Sequence, residues 1–334
     1  MVTMKDVARA AGVSTYTVSA TLAEATNVSP ELRARVNDAV ERLGYERNSM
    51  ARALKRGSSS LIGLIVSDIT NPFFTELVEC IQNEARQAGY SVLLGVSDHD
   101  VERETQLLRL MRSHQAGGTI LCPAGDVTDY GELRSIAGQM KLVAVDNAAA
   151  GMGIDTLAID NAHAAKLAVE HLLALGHRQI GMVAGLSRQF VGQQRLAGYQ
   201  KALAGYGLAF EPNLIGQGSF RLEDGYHACK QLLAQREAPT AIFVANNLML
   251  IGVMRALHEA GMKVPGHVSV CSIDDFPWAT AFQPALTVVK QPIAEMAAAA
   301  FRTLMNRLKG GKEEPAHAVY QVELIVRESC AKHL

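Results

Sequence analysis

The 334 residues, 49% hydrophobic and 19% charged, are too many for one ordinary domain and too apolar for a disordered or collagenous chain. No apolar run approaches the roughly 18 residues that would suggest a membrane span, and the N-terminus lacks the charged, apolar and small-residue order of a signal peptide, so the chain is expected in the cytoplasm. The net charge of −1 hides an asymmetry: residues 1–58 hold nine Lys or Arg against six Asp or Glu, as expected where one small domain meets nucleic-acid phosphates. Cys80, Cys122, Cys229, Cys271 and Cys330 are odd in number, scattered and without a CxxC pair, which favours reduced core thiols over disulfides or a zinc site.

In chain order, Thr3 and Asp6 have the spacing of a capping box, and Val7, Ala8 and Ala11 follow at helical spacing until Gly12 stops the helix. Ser14 can cap a second helix in which Val18 and Leu22 point inward while Thr15, Tyr16, Ser19 and Ala20 point out. Two short helices around a Gly-containing turn predict a helix-turn-helix whose second member fits a DNA major groove. Ser29-Pro30-Glu31 then starts a third helix, with Leu32, Val36, Val40 and Leu43 on one face and Gly44 at its end. From helix orientation, Thr15 and Tyr16 are expected at base edges, and Ser14, Thr17, Ser19 and Asn27 mostly on phosphates, with Thr3 included in the DNA-binding set.

Residues 46–60 lack packed-helix periodicity and end in a Gly-Ser run, so they read as a linker. Within it, Asn48 is a helix cap and Ser49–Arg56 are mostly good helix formers, too few to hold a helix alone in water, so ordering would need a partner.

From Leu61 onward, short apolar runs alternate with amphipathic stretches. Strands are predicted at 61–66, 91–96, 118–122, 142–146, 180–184, 241–245 and 268–273, and helices at about 73–89, 101–115, 161–175, 190–205, 223–235, 246–261 and 293–308, before a terminal strand at 318–326. That alternation predicts right-handed βαβ units in two doubly wound α/β subdomains, with ligand bound at the carboxyl ends of the strands, in the cleft between them.

Several blocks resemble the LacI/GalR family of bacterial transcription regulators: Lys5-Asp-Val-Ala with Ala11-Gly-Val-Ser14, Thr17-Val-Ser19, Val28-Ser29, Leu43-Gly-Tyr45, His171-Leu with Gly176-His177, Arg195-Leu-Ala-Gly-Tyr199, Asn246, Asp274-Asp275 and Pro284-Ala-Leu-Thr287. The resemblance covers essentially the whole chain. It implies a headpiece at 1–46, a hinge helix and linker at 47–60, and a periplasmic-binding-protein-type core at 61–334. That core would comprise an N-subdomain (about 61–161 and 292–323) and a C-subdomain (about 162–291 and 324–334), with crossings near 161, 291 and 324. It further implies that Asn48, Ala51, Arg52, Leu54 and Lys55 belong to a hinge helix paired across a homodimer, with Leu54 wedged into the minor groove; an apolar residue flanked by Arg52, Lys55 and Arg56 has the composition of such a wedge. The partners implied are pseudo-palindromic operator DNA, a second copy of the chain, and a small effector, a sugar or related metabolite.

Arg195, Asn246 and Asp274 are polar residues at or near predicted strand ends, with the donors and acceptors that suit vicinal hydroxyls. Phe73, Phe74 and Phe220 match the family's pocket positions and, with Trp278, could lie against the apolar face of a ring; ordinary core packing is the rival reading. Asp160 is read as a ligand contact, a helix cap, or both. Enzyme signatures are missing: there is no P-loop, GxSxG or HExxH, and Gly151-Met-Gly153 lacks the third glycine of a dinucleotide site. His163, His171 and His177 are read as core or capping residues, and no cofactor or metal is expected. A repressing transcription regulator is therefore expected, ahead of a periplasmic sugar-binding protein or a sugar-metabolising α/β enzyme. Ala20, where many relatives carry a larger polar or basic residue, and Asn247, Gln189 and Val191 depart from the family's pattern, so operator and effector cannot be copied from relatives.

Overall fold

The computed structural model describes residues 2–22, 25, 28–45, 60–125, 135–136, 138–147, 153–311 and 313–333. Asn27 and the hinge candidates Asn48, Ala51, Arg52, Leu54 and Lys55 lie outside the described residues. The chain divides into two compact units, Met1–Ser59 and Ser60–Leu334.

In the first unit, helix α1 (Met4–Ala11) begins with the expected capping box: Thr3 Oγ1 accepts from the Asp6 amide at 3.3 Å while Asp6 Oδ2 accepts from the Thr3 amide at 3.0 Å. Gly12 turns the chain at φ 63°, a left-handed conformation that a β-carbon would disfavour. Helix α2 (Thr15–Leu22) starts on Ser14, whose Oγ accepts from the Thr17 amide at 3.1 Å. Helix α3 (Pro30–Leu43) is capped by Ser29. Val7, Ala8, Ala11, Val18, Val36 and Ala39 form the small shared core, and Arg35 ties α3 to the turn by donating to the Ala11 carbonyl at 2.7 Å. Ala20, expected to point outward, is buried, as is Thr21, because the face of α2 turned to its neighbours is wider than the Val18–Leu22 stripe.

Among the described residues, the second unit holds two six-stranded sheets. The first comprises β1 (Leu61–Val66), β2 (Ser91–Val96), β3 (Gly118–Leu121), β4 (Lys141–Val145), β5 (Asp155–Ile159) and β11 (His317–Tyr320), in the order β11-β5-β4-β3-β1-β2 and parallel throughout. The second comprises β6 (Ile180–Ala184), β7 (Ile215–Gln217), β8 (Ala241–Val244), β9 (Ser269–Ile273), β10 (Thr287–Lys290) and β12 (Glu323–Ile325), in the order β12-β10-β9-β8-β6-β7, with only the β10–β12 pair antiparallel. The helices are α4 (Pro72–Gln87), α5 (Val101–Ser113), α6 (Asn161–Ala174), α7 (Phe190–Gly205), α8 (Leu222–Leu233), α9 (Asn247–Glu259) and α10 (Ile293–Leu308).

Strands buried on both faces need apolar side chains on both, and the pleat sorts them. Ile62, Leu64 and Val66 of β1 join the core that includes Phe73 and Leu77 of α4 and Met296 and Ala300 of α10, while Ile65 faces Leu108 and Met111 of α5. The chain passes from one sheet's subdomain to the other at 160–161, 291–292 and 321–322. The last passage divides the single strand expected at 318–326: β11 joins the first sheet and β12 the second. Strands β5, β7 and β10 were not among those predicted from sequence.

Candidate functional site

Parallel strands of both sheets end in loops that face one cleft. The space unfilled by protein atoms in and at the mouth of the cleft is about 430 Å³, open solvent included. Ser67 follows β1, His99 lies beyond β2, Pro123 beyond β3, and Asp146 and Asn147 follow β4. From the second sheet come Gln189 and Val191 beyond β6, Phe220 beyond β7, Asn246 beyond β8 and Asp274 after β9. This is the strand-end placement expected of ligand sites in open parallel sheets.

Six of the seven residues expected at the effector site line this cleft: Phe73, Phe74, Arg195, Phe220, Asn246 and Asp274. Asp160 does not. It is exposed and caps α6, accepting from the His163 amide at 2.8 Å, because the chain leaves the first sheet there to start a helix of the other subdomain. Trp278 also stands aside, 47% exposed and edge-on to Phe276, whose ring centroid is 5.5 Å away.

Arg195, 2% exposed, sits within α7. Its Nε donates to Asn161 Oδ1 at 2.9 Å, its Nη1 donates to the Ala245 carbonyl, and Nη1 lies 3.8 Å from Asp274 Oδ2. Gln291 Nε2 donates to Asp274 Oδ1 at 2.5 Å. Burial raises the Asp274 carboxyl, although Arg195 and the Gln291 bond pull the other way. Asp146 is pushed up to about 7 by burial, a rise that Arg195 opposes and Asp274 reinforces. Burial also lowers the pKa of His99.

Two features mark the cleft as functional ground. Four of its lining residues, His99 (φ 60°), Asp146 (φ 71°), Phe220 (φ 68°) and Asp274 (φ 75°), adopt a left-handed backbone that non-glycine residues rarely occupy. Such strain collects at ligand sites, where the surrounding fold over-determines it. The walls also touch across the cleft: Arg221 Nη2 pairs with Asp98 Oδ1 at 2.7 Å, and Gln189 Nε2 donates to the Ala124 carbonyl at 2.8 Å. Phe220 reaches its position because residue 185 is glycine; a β-carbon there would stand 2.0 Å from the ring.

Ser67, Asn71, His99, Pro123, Asp146 and Asn147 were missed from sequence. Asp146 and Asn147 had a usable signal, since they directly follow an apolar strand as Asn246 and Asp274 nearly do. His99 had none, lying in a loop beyond an edge strand.

On the headpiece, Ser14, Thr15 and Tyr16 are exposed and Thr17 and Ser19 half-buried, while Thr3 belongs to the cap of α1. Ser14 Oγ and Thr17 Oγ1 share a hydrogen bond of 2.9 Å. Thr15 and Tyr16 open α2, the end of a recognition helix that contacts base edges in helix-turn-helix complexes.

A helix-turn-helix headpiece carried on a two-lobed α/β core with a buried polar cleft is the make-up of a ligand-controlled transcription regulator. The comparisons agree. Residues 3–48 match the model of bacterial regulatory proteins of the lacI family, and residues 169–330 match that of periplasmic binding protein-like domains. The HTH-type transcriptional repressor PurR of Escherichia fergusonii is 34% identical over 99% of this chain and 97% of its own. PurR of Erwinia tasmaniensis is likewise 34% identical, over 99% and 97%. Among solved structures, the Lac repressor dimer bound to operator and the anti-inducer ONPF superposes with a TM-score of 0.88 at 29% identity, covering 99% of both chains. A complex of the transcriptional regulator CelR with cellobiose gives 0.74 at 27%, covering 98% of this chain and 100% of that one. The chain belongs to the lacI family of bacterial regulatory proteins.

Proposed function

We propose that this regulator is a homodimeric repressor that binds a pseudo-palindromic operator through α2 and yields or gains that hold when a small polar metabolite enters the cleft. The observation that carries the reading is the gathering of Asn246 and Asp274 from strand ends and Arg195 from α7 in one strained pocket. Two carboxylates, a guanidinium and carboxamides beside Phe73, Phe74 and Phe220 suit a small ring with polar edges and an apolar face. In this reading the cleft binds without turnover, the protein works in the cytoplasm, and Asn27 with the 47–60 segment completes the DNA contacts. A dimer supports specificity because one headpiece makes too few contacts to single out a genomic site.

Selection of bound duplexes from a random pool by the full-length protein should return a two-fold symmetric site. Sugars, sugar acids and nucleobases that raise the melting temperature should change affinity for that site and be recovered unconsumed. A selected site without two-fold symmetry would sink the dimer reading, and a consumed ligand would sink the binding-only reading.

A further inference from the structure

The polar groups of the cleft are unevenly used. Each of three carboxamides spends one N–H on the protein: Asn147 Nδ2 donates to the Pro123 carbonyl at 2.9 Å, Asn246 Nδ2 to the Phe220 carbonyl at 3.0 Å, and Gln189 Nε2 to the Ala124 carbonyl at 2.8 Å. Arg195 spends Nε and Nη1 on Asn161 and Ala245, and among the described residues its Nη2 makes no hydrogen bond, so spare donors gather at Arg195 and spare acceptors at Asp146 and Asn147. The acceptors are not used up. Asn147 is 3% exposed, yet its Oδ1 has no hydrogen-bond partner. Among the described residues no side-chain hydrogen bond reaches the Asp146 carboxylate, and Asp274 Oδ2 meets Arg195 only at 3.8 Å. Charge is unbalanced in the same sense. Asp146 and Asp274 share one guanidinium, and His99 is held toward its neutral form.

At Asp146 and Asn147 Oδ1 a neutral hydroxyl answers this poorly, because it brings a single donor to more than one unspent acceptor. A protonated primary amine brings three donors, no acceptor and the missing positive charge, and bonds to a carboxylate more strongly than a neutral donor does. Phe73, Phe74 and Phe220 add aromatic walls that tolerate a cation. We infer that the effector is a small amine-bearing ring of the amino-sugar class, its ammonium seated between Asp146 and Asn147 Oδ1. This rests on the cleft being the effector site. It is supported by the elevation of the Asp146 carboxyl, the signature of a buried anion short of counter-charge.

The test is isothermal titration of the full-length protein with D-glucosamine, D-galactosamine and D-mannosamine, each beside its neutral hexose and its N-acetyl form, at about pH 7.5, where the Asp146 carboxyl is mostly ionised and much of each amine is still protonated. At least one amine should bind about tenfold or more tighter than both of its neutral counterparts. Asp146→Asn should shrink that ratio to about twofold or less, and so should Val191→Lys, which supplies a positive charge from the pocket's own wall. Either variant suffices, provided its circular dichroism and operator binding match the parent's. A neutral sugar binding as tightly as its amine, or an amine preference that survives in a folded variant, would overturn the inference and leave the effector reading standing. Binding by no member would also overturn it. Only if the wider metabolite panel also fails to shift operator affinity would the effector reading fall with it.

Discussion

On α2, Thr15 and Tyr16 stand in solvent, Tyr16 71% exposed, while Val18 of the same helix is fully buried and holds the headpiece together. In the cleft no such division exists. Arg195, Asn246 and Asp274 are each at most 5% exposed, and the bonds that orient them also join α6, α7 and the strand ends. The headpiece therefore keeps its candidate reading residues apart from its structural ones, whereas in the cleft the candidate ligand contacts are themselves structural side chains. Substitutions should accordingly cost much stability in the cleft and little on the reading face.

The largest loss is expected from Arg195→Ala. It strands Asn161 Oδ1 and the Ala245 carbonyl and leaves Asp146 and Asp274 without their guanidinium. Removing one partner of a buried charged cluster costs about 3–5 kcal/mol. Urea unfolding of the full chain, following the core transition, should show a loss of that order; a loss near zero would mean that the carboxylates need no counter-charge.

Next comes Glu104, a carboxyl the cleft's function does not obviously use. It is fully buried on α5, with Oε2 accepting from the Ala124 amide at 2.7 Å and Oε1 without a partner. Burial, opposed by the Ala124 bond, raises it from 4.5 to about 8. A raised folded-state pKa means that the native chain holds the proton more tightly than the unfolded one. The stabilisation is complete below about pH 4.5 and drains away as pH rises toward 8. The drop across that window should be at most about 5 kcal/mol, and Glu104→Gln should flatten it. An unchanged urea midpoint–pH profile in the variant would place the titrating group elsewhere.

Asp274→Asn is expected to cost less, about 1 kcal/mol or under, because the left-handed backbone there suits asparagine, Oδ1 can still accept from Gln291, and the desolvation of an anion is relieved. On the proposed site reading, most of the effector response should go while operator binding stays. A plainly lowered melting temperature without ligand, together with a normal response, would make Asp274 a brace for Arg195 instead.

The same contrast explains what could be read without coordinates. The alternation of apolar runs and amphipathic stretches carried both sheets, since strands buried on both faces must be apolar throughout. Strand β7, at three residues, is too short to announce itself, and β5 and β10 carry polar residues at their ends that blur the run. The 318–326 stretch looked like one strand because periodicity is blind to which sheet a residue joins. Asn246 and Asp274 could be picked out because polar groups near strand ends obey a topological rule, whereas Arg195, expected near a strand end, lies inside α7 and was marked by the family resemblance. Asp146 obeys the rule too and was overlooked, whereas His99 meets Phe220 only through the fold, their ring centroids 6.0 Å apart. Asp160 marks the rule's limit: the end of a strand where the chain changes subdomain serves a helix cap, not the cleft. Ala20 shows a comparable limit on the headpiece, where three helices close so tightly that α2 buries a position its own stripe leaves outside.

The smallest effect on stability, and the cleanest on function, belongs to Tyr16. Its side chain is exposed and makes no part of the Val7–Val18–Val36 core, so Tyr16→Ala should change stability by no more than about 0.5 kcal/mol. Its position in the first turn of α2 puts it where a recognition helix meets base edges, so the same change should alter which operator is preferred rather than weaken every site alike. Thr17→Ala supplies the control one residue away. Thr17 is half-buried, and its hydroxyl bonds Ser14 Oγ, the oxygen that caps α2. Its loss should loosen the helix start and lower affinity for all duplexes by a similar factor, leaving the ranking intact. Competitive binding of the two variants to a panel of single-base operator changes separates these outcomes. If Thr17→Ala reorders the panel while Tyr16→Ala only scales it, α2 meets DNA through a different face, and the separation of reading from holding on the headpiece is lost.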